Sequence, residues 1–147
     1  MDTLQVDQPY EGVTRITLDR PERLNAMNAV LIAELHAVLA GIAKDRVCRV
    51  VVLTGAGRGF CAGLDLAGYG AAPGSEDLDR VGTTFATQTD IAALVPQLRG
   101  LPQPVIAAVN GPASGGGLAM ALASDIRIAG ATEIGRASCR ERVCWIV

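Results

Sequence analysis

The sequence has few of the residues that binding to nucleic acids or metals requires. Lys44 is its single lysine, no segment is dense in Lys or Arg, and the net charge is −2. Since affinity for nucleic acids depends on cationic contacts with phosphates, we expect no nucleic-acid partner. His36 is the single histidine, and none of the four cysteines forms a CxxC pair. We therefore expect no metal site, and reduced thiols.

Long apolar runs are absent as well. No run reaches the ~18–20 residues that span a bilayer, and the first fifteen residues lack the basic start and apolar segment of a signal peptide. These features predict a cytoplasmic protein without a membrane partner. Aromatic residues make up 3% of the sequence, whereas half of all residues are apolar. The core is therefore expected to consist mainly of Ala, Val, Leu and Ile.

The apolar residues recur with alternating strand and helix periods, which predicts one α/β domain. Strands are expected over residues 13–18, 47–53, 105–110 and 124–129. Helices are expected from Asn28 to about residue 45, from about Ser75 to about residue 99, and over residues 118–123. Pro96 should kink or interrupt the second helix, and the third helix should be buried on all sides.

Two glycine-rich loops, residues 57–66 and 110–117, each follow a predicted apolar strand directly. α/β sheets bind ligands outside the carboxyl ends of their strands. Glycine also allows a ligand to approach the main chain without a Cβ in the way. The second loop opens a helix, whose first N–H groups have no partner inside it. Two main-chain donors directed at one carbonyl oxygen form an oxyanion hole, which suits the chemistry of acyl thioesters.

Three motifs carry a resemblance to a known family. GRGFCAGLDL, residues 57–66, resembles the first oxyanion loop of the crotonase superfamily (enoyl-CoA hydratase/isomerase family). PVIAAVNGPASGGG, residues 104–117, resembles the second, and RPERLNAMN, residues 20–28, resembles the loop that contacts coenzyme A. The motifs occur in the family's order, and the resemblance covers residues 4–131. It implies the crotonase fold, a spiral of ββα units, here truncated before the carboxyl-terminal helical region.

The resemblance also implies roles for individual residues. The N–H groups of Leu64 and Gly116 would be the oxyanion donors. Acyl-CoA would be the substrate, with no further cofactor and no metal, and the full-length protein would form a homotrimer or hexamer. The residues expected to bind substrate are Arg23, Leu24, Ala26, Ala62, Gly63, Asp65, Leu66 and Gly115. Asp65 is also expected to hold its loop by accepting backbone N–H groups.

The sequence departs from the family's pattern at the proton-transfer groups. Hydratases of the family use two glutamates, and Ala119 stands at the position of the first. The second would lie beyond residue 131. We therefore expect an enoyl-CoA hydratase/isomerase-like parent and an inactive fragment. The alternative is a non-catalytic acyl-CoA-binding module. A further alternative is an NAD-binding Rossmann protein, because residues 57–62 fit GxGxxG/A, although no helix is predicted to follow them.

Residues 132–147 differ in composition from the rest of the chain. They contain three arginines, two of the cysteines and the single tryptophan. Residues 133–143, EIGRASCRERV, look like translated sequencing-adapter DNA, and a divergent native tail is the competing interpretation. We accordingly divide the chain into an incomplete crotonase-like core, 1–131, and a non-native tail, 132–147. Within the core, we expect a packed thiol at Cys61, a boundary residue at His36 and a turn-stabilising carboxylate at Asp125.

Overall fold

The computed structural model of the chain describes residues 1–70, 72–75 and 77–130, together with the backbone of residues 135 and 136. A five-stranded sheet forms the centre, in the order β1-β2-β3-β4-β6. β1 pairs antiparallel with β2, and the other pairs are parallel. The strands of this sheet are β1 (Leu4–Tyr10), β2 (Val13–Leu18), β3 (Val50–Gly55), β4 (Val105–Val109) and β6 (Ile126–Ala129).

Within the described residues, three α-helices accompany the sheet: α1 (Ala29–Ile42), α2 (Arg80–Arg99) and α3 (Gly116–Ala123). A 3₁₀ helix covers Pro21–Arg23, and the short strands β5 (Ala113–Ser114) and β7 (Gly135–Arg136) pair in parallel. α1 begins after Asn28, whose side chain accepts a hydrogen bond from the Leu31 N–H, as expected for a helix cap. The predicted α/β class is confirmed, with a mostly parallel sheet.

The core lies between the sheet and the helices and is mainly aliphatic, as predicted. Ile16, Leu53 and Ala107 contribute to it from three strands, and each is 0% exposed. Apolar residues of α1 cover them at helical spacing. The exceptions among the described residues are the ring of Phe60, which is fully buried, and the sulfur-containing side chains of Met27, Met120, Cys48 and Cys61.

The predicted element boundaries were wrong in several places. β3 begins at Val50 rather than at residue 47. Val47 is 66% exposed, and its N–H bonds the Asp45 carboxylate in a turn. α2 begins at Arg80, with Asp79 as its cap, because the Ser75 hydroxyl is engaged with the Ala72 carbonyl. β4 ends one residue before Asn110, and β6 starts two residues after Ser124.

Two further expectations about the helices differ from the structure. Pro96 does not interrupt α2, which continues to Arg99; because proline has no N–H, the helix lacks one internal hydrogen bond at this position. α3 is not buried on all sides, since Leu122 is 54% exposed. α3 contacts α2 and β4 but leaves one side open.

β1 was missed altogether. Its apolar and polar residues alternate only over the first four positions, and Pro9 within the run argues against a strand. Leu4 is its only buried residue. Its pairing with β2 also shifts register between Asp7 and Tyr10. Residues 132–147, including Cys139 and Cys144, lie outside the described residues apart from the backbone of 135 and 136. In the described part of the chain, no helix is long and apolar enough to cross a membrane.

Candidate active site

The two glycine-rich loops lie side by side because their strands are neighbours. β3 pairs with β4, so both loops leave the same edge of the sheet. Asn110 joins them: its Oδ1 accepts the Gly55 N–H at 3.1 Å, and its Nδ2 donates to the carbonyls of Gly55 at 2.8 Å and Gly57 at 3.0 Å. A single side chain at the end of β4 thus fixes the start of the first loop.

Asn25 holds the start of the first loop by side-chain hydrogen bonds to its backbone. It is fully buried, and its Nδ2 donates to the carbonyls of Ala56 at 2.9 Å and Gly59 at 2.8 Å. Its Oδ1 accepts the Arg20 N–H at 2.9 Å. The Asn25 backbone has φ of +56°, a left-handed conformation that asparagine tolerates better than most residues. Asn25 therefore joins the RPERLNAMN segment to Gly59 of the first loop and to Ala56, near its start, by two side-chain hydrogen bonds.

The second loop contacts the first through Ser114. Its N–H donates to the Cys61 carbonyl at 3.0 Å, and its hydroxyl donates to the Ala62 carbonyl at 2.8 Å. Gly63 follows with φ of +93°, and a Cβ there would lie 3.0 Å from the backbone carbonyl oxygen of Ser114. Gly115 also has positive φ, at +52°. Glycine is required at position 63 both for its backbone conformation and for the closeness of the two loops.

The backbone N–H of Leu64 points away from Met27, the residue with which Leu64 forms a β-bridge. Met27 and Leu64 form an isolated parallel bridge. In it the Met27 N–H donates to the Gly63 carbonyl at 2.7 Å, and the Asp65 N–H donates to the Met27 carbonyl at 2.9 Å. Since successive residues of an extended chain direct their polar groups to opposite sides, the Leu64 N–H faces the other way. No group in the described residues accepts it.

The N–H of Gly116 is similarly unpaired. The first hydrogen bond of α3 runs from the Ala119 N–H to the Gly115 carbonyl at 3.0 Å, so the three preceding N–H groups have no acceptor in the helix. Among the described residues no other acceptor serves Gly116. Gly63 contacts Ser114 and Gly115, so Leu64 and Gly116 each lie one residue beyond the contact between the loops.

Arg20 and Asp65 form an ion pair below the first loop. Arg20 Nη2 lies 2.9 Å from Asp65 Oδ2, and the two side chains are 15% and 9% exposed. Arg20 also donates through Nη1 to the Ala26 carbonyl, and the Ala67 N–H donates to Asp65 Oδ1 at 3.0 Å. The Arg20 hydrogen bond and the Ala67 N–H lower the pKa of Asp65. The structure thus agrees with the expectation that Asp65 holds its loop.

The remaining predicted contacts with substrate lie around the same loops. Arg23 is exposed, and Leu24 is partly buried with φ of +50°. Ala26 is 7% exposed, and the Ala62 N–H donates to the Leu24 carbonyl at 2.9 Å. The side chain of Leu66 is 98% exposed and so lies outside the loop contacts. The structure groups all of these residues except the Leu66 side chain with the loops, and their contacts with substrate stay predictions.

Cys61 and His36 match their expected structural roles. Cys61 is fully buried, and burial raises the pKa of its thiol to about 11, so at neutral pH the thiol is protonated and is a poor nucleophile. His36 is partly buried, and its ring contacts the Asp90 carbonyl at 2.9 Å and the Gln97 side chain. Among the described residues, no group of three or more His, Cys, Asp or Glu side chains could hold a metal ion.

The Rossmann alternative is inconsistent with the fold. Its motif must open a helix, whereas the first loop continues through turns and bends to Gly70, and the next helix is α2. Sequence reasoning missed four residues that shape the site: Arg20, Asn25, Met27 and Asn110. The first three lie within the RPERLNAMN motif, so the motif itself was the available signal.

Comparison with known proteins agrees with this geometry. The profile of the Enoyl-CoA hydratase/isomerase family matches residues 8–137. This chain belongs to that family. The probable enoyl-CoA hydratase echA12 of Mycobacterium bovis is 46% identical over 133 residues, which are 90% of this chain and 47% of the relative. The 1,2-epoxyphenylacetyl-CoA isomerase of Escherichia coli is 44% identical over 119 residues, which are 81% of this chain and 44% of the relative.

Solved structures show the same fold. A probable enoyl-CoA hydratase/isomerase from Mycobacterium abscessus superimposes with a TM-score of 0.83 at 37% identity, covering 91% of this chain and 48% of that one. The predicted crotonase-like fold and membership of the crotonase superfamily are thereby confirmed. The chain spans about half the length of the relatives it matches.

Proposed function

We propose that this enoyl-CoA hydratase/isomerase-like chain holds the carbonyl oxygen of an acyl-CoA thioester between the N–H groups of Leu64 and Gly116. The observation that supports this most directly is that two N–H groups without an acceptor lie next to the same contact between the loops. Each lacks an acceptor in the described residues, and each follows directly on the contact between Gly63 and Gly115. One donor also lies at the start of α3, where the helix dipole favours negative charge.

The proposed chemistry follows from what an oxyanion hole does. Removing the α-proton of a thioester, or adding a nucleophile to the β-carbon of an enoyl thioester, places negative charge on the thioester oxygen. Donors already fixed in direction stabilise this charge without reorganising during the reaction. Removal of one such donor typically costs about 2.7–4 kcal/mol of barrier. The buried supports of the loops, Asn25 and the Arg20–Asp65 pair, would keep the donors fixed.

Proton transfer requires a further group that the described site lacks. Position 119 carries only a methyl group, and Asp65 is engaged with Arg20. We propose that the parent protein supplies a carboxylate from the part of the relatives' length that this chain does not cover. On this view the present chain binds acyl-CoA but has little or no activity. Ala119 equally favours the second candidate, a non-catalytic acyl-CoA-binding module. Both candidates predict that this chain binds acyl-CoA without turnover, and they differ in whether the full-length protein is an enzyme.

The remaining parts of the proposal concern coenzyme A and assembly. Arg23, Leu24, Ala26 and Ala62 would line the path of coenzyme A, since they border the first loop where RPERLNAMN is joined to it. Gly63, Asp65, Leu66 and Gly115 would belong to the substrate site through the two loops. We also propose that the full-length protein forms a trimer or hexamer, which sedimentation can test.

The deciding experiment compares two ligands that differ only at the thioester. Butyryl-CoA carries the carbonyl, and S-butyl-CoA replaces it with a methylene group. Two hydrogen bonds of ordinary strength contribute about 1–3 kcal/mol, so calorimetry should show about 5–150-fold tighter binding of butyryl-CoA. Equal affinities would contradict the proposed donors. NAD should give no heat, and steady hydration of crotonyl-CoA by this chain would refute its inactivity.

A further inference from the structure

Met27 contacts both loops of the candidate site, one through its main chain and the other through its side chain. It lies in the RPERLNAMN segment and is 1% exposed. We propose, on the basis of the proposed function, that Met27 is a positioning residue that sets the spacing between the N–H groups of Leu64 and Gly116.

The main chain of Met27 fixes the first donor. Its N–H donates to Gly63 and its carbonyl accepts from Asp65, at 2.7 Å and 2.9 Å. These two bonds are on either side of Leu64, so they determine the direction in which the Leu64 N–H points. They involve only backbone atoms, and substitution of the Met27 side chain leaves them intact.

The side chain of Met27 fixes the second donor. A Cβ built on Gly116 would lie 2.1 Å from the terminal methyl carbon of Met27 and 3.4 Å from its sulfur. The end of the thioether therefore packs directly against the Cα of Gly116, at the first residue of α3. Glycine at position 116 is explained by this contact, because Gly116 is not among the residues with positive φ.

One residue thus determines where both donors lie relative to each other. Hydrogen bonds weaken steeply as distance and angle depart from the optimum, so a small shift of α3 against the first loop would weaken the bond from Gly116. A thioether is flexible and fills irregular space, and here its end lies against Gly116 at the start of α3. Shortening this side chain would remove the contact that holds Gly116 in place.

The first experiment measures selectivity for the thioester carbonyl. The ratio of the S-butyl-CoA to the butyryl-CoA dissociation constant is determined for the wild type and for Met27→Ala, Met27→Leu and Leu39→Ala. Leu39→Ala is the matched control, since Leu39 is fully buried in α1 and absent from the loops. Met27→Ala should reduce the ratio at least threefold and change S-butyl-CoA binding less than twofold. Met27→Leu and Leu39→Ala should retain most of the wild-type ratio.

The outcomes separate this inference from the proposed function. A wild-type ratio near one overturns the proposed function, and the role of Met27 with it. A high wild-type ratio that Met27→Ala also retains overturns only the role of Met27. If Met27→Ala is unfolded at 25 °C, Met27→Val replaces it, because valine retains the bulk at Cβ and cannot reach Gly116.

A second experiment tests the contact without any ligand. Gly116→Ala should lower the urea midpoint in the wild type, where the new methyl group meets Met27. In the Met27→Ala background the same change should leave the midpoint unchanged or raise it, because the space is free and alanine favours a helix. Such non-additivity is the mark of residues in direct contact. An equal loss in both backgrounds would overturn the proposed packing of Met27 on Gly116.

Discussion

Gly117 lies in the first turn of α3, next to Cys61 of the first loop, and alanine at this position should destabilise the fold. A Cβ there would lie 2.3 Å from the Cys61 carbonyl oxygen and 2.6 Å from the Cys61 Cβ. These atoms cannot rotate away as the end of a side chain can, so the loop or the helix must move. Such overpacking costs about 1–3 kcal/mol, occasionally more, against a gain of up to ~1 kcal/mol in helix propensity. With two contacts this short, we expect a net loss of about 2 kcal/mol.

Gly41→Ala is the matched control for this substitution. Gly41 also lies in an α-helix, but it is exposed, and a Cβ there would meet nothing within 4 Å. The gain in helix propensity is then unopposed, and we expect stabilisation by about 0.5–1 kcal/mol. The same chemical change should therefore have opposite signs at the two positions.

Thermal unfolding followed by circular dichroism measures both variants. For a domain of this size, 2 kcal/mol corresponds to a melting temperature lower by about 6–8 °C. A Gly117→Ala variant that melts at or above the wild-type temperature would refute the reasoning, because α3 and the first loop could then not be in the contact described.

Three further predictions concern buried groups around the site. Arg20 holds the pKa of Asp65 low, so the stability from this pair should be fully present above about pH 4 and lost as pH falls through the folded pKa. Urea midpoints from pH 6 to 3 should therefore fall more steeply for the wild type than for Asp65→Asn, and parallel profiles would contradict this. With its pKa raised to about 11 by burial, Cys61 should resist iodoacetamide at pH 8 until urea unfolds the chain; peptide mass spectrometry follows this residue, and native-state labelling would argue against burial. Asn25→Ala leaves two carbonyls and an N–H without their partner and should lower the free energy of unfolding in urea by about 2–4 kcal/mol. Asn28→Ala, which removes only the cap of α1, should cost ~1 kcal/mol. Equal losses for the two variants would contradict the hydrogen bonds assigned to Asn25.

The predictable parts of the fold are those whose pattern repeats within one element. Residues of α1 recur at helical spacing, and Val13–Leu18 alternates, so β2 was found with its observed bounds and α1 to within about three residues. β1 could not be found this way. It buries only Leu4, and its pairing with β2 holds it in the sheet. The start of α2 depends on which of two capping residues is free, and Ser75 is engaged in a turn of its own.

The site divides in a similar way between local and long-range determinants. Glycines at positions 63 and 115 were recognisable because the requirement lies in their own backbone. The supports of the loops were not recognisable, because Asn25 reaches residues about thirty positions away and Asn110 reaches back to Gly55. Sequence spacing gives no direct indication of such contacts. The RPERLNAMN motif contains Arg20, Asn25 and Met27, but the motif alone does not show which contacts each of them makes.

The two glycine-rich loops are better at indicating what is bound than which reaction follows. A probable hydratase and an epoxyphenylacetyl-CoA isomerase are 46% and 44% identical to this chain over the matched regions. Similarity in this half of the fold therefore does not discriminate between the two activities. A thioester oxygen gains negative charge in both hydration and isomerisation, so the proposed pair of donors would serve either. The discriminating groups must be those that move protons, and at position 119 this chain offers only a methyl group. Under the proposed function, the choice of reaction would depend on side chains outside the two loops, and a carboxylate that reaches the proposed donors of Leu64 and Gly116 is the feature to seek.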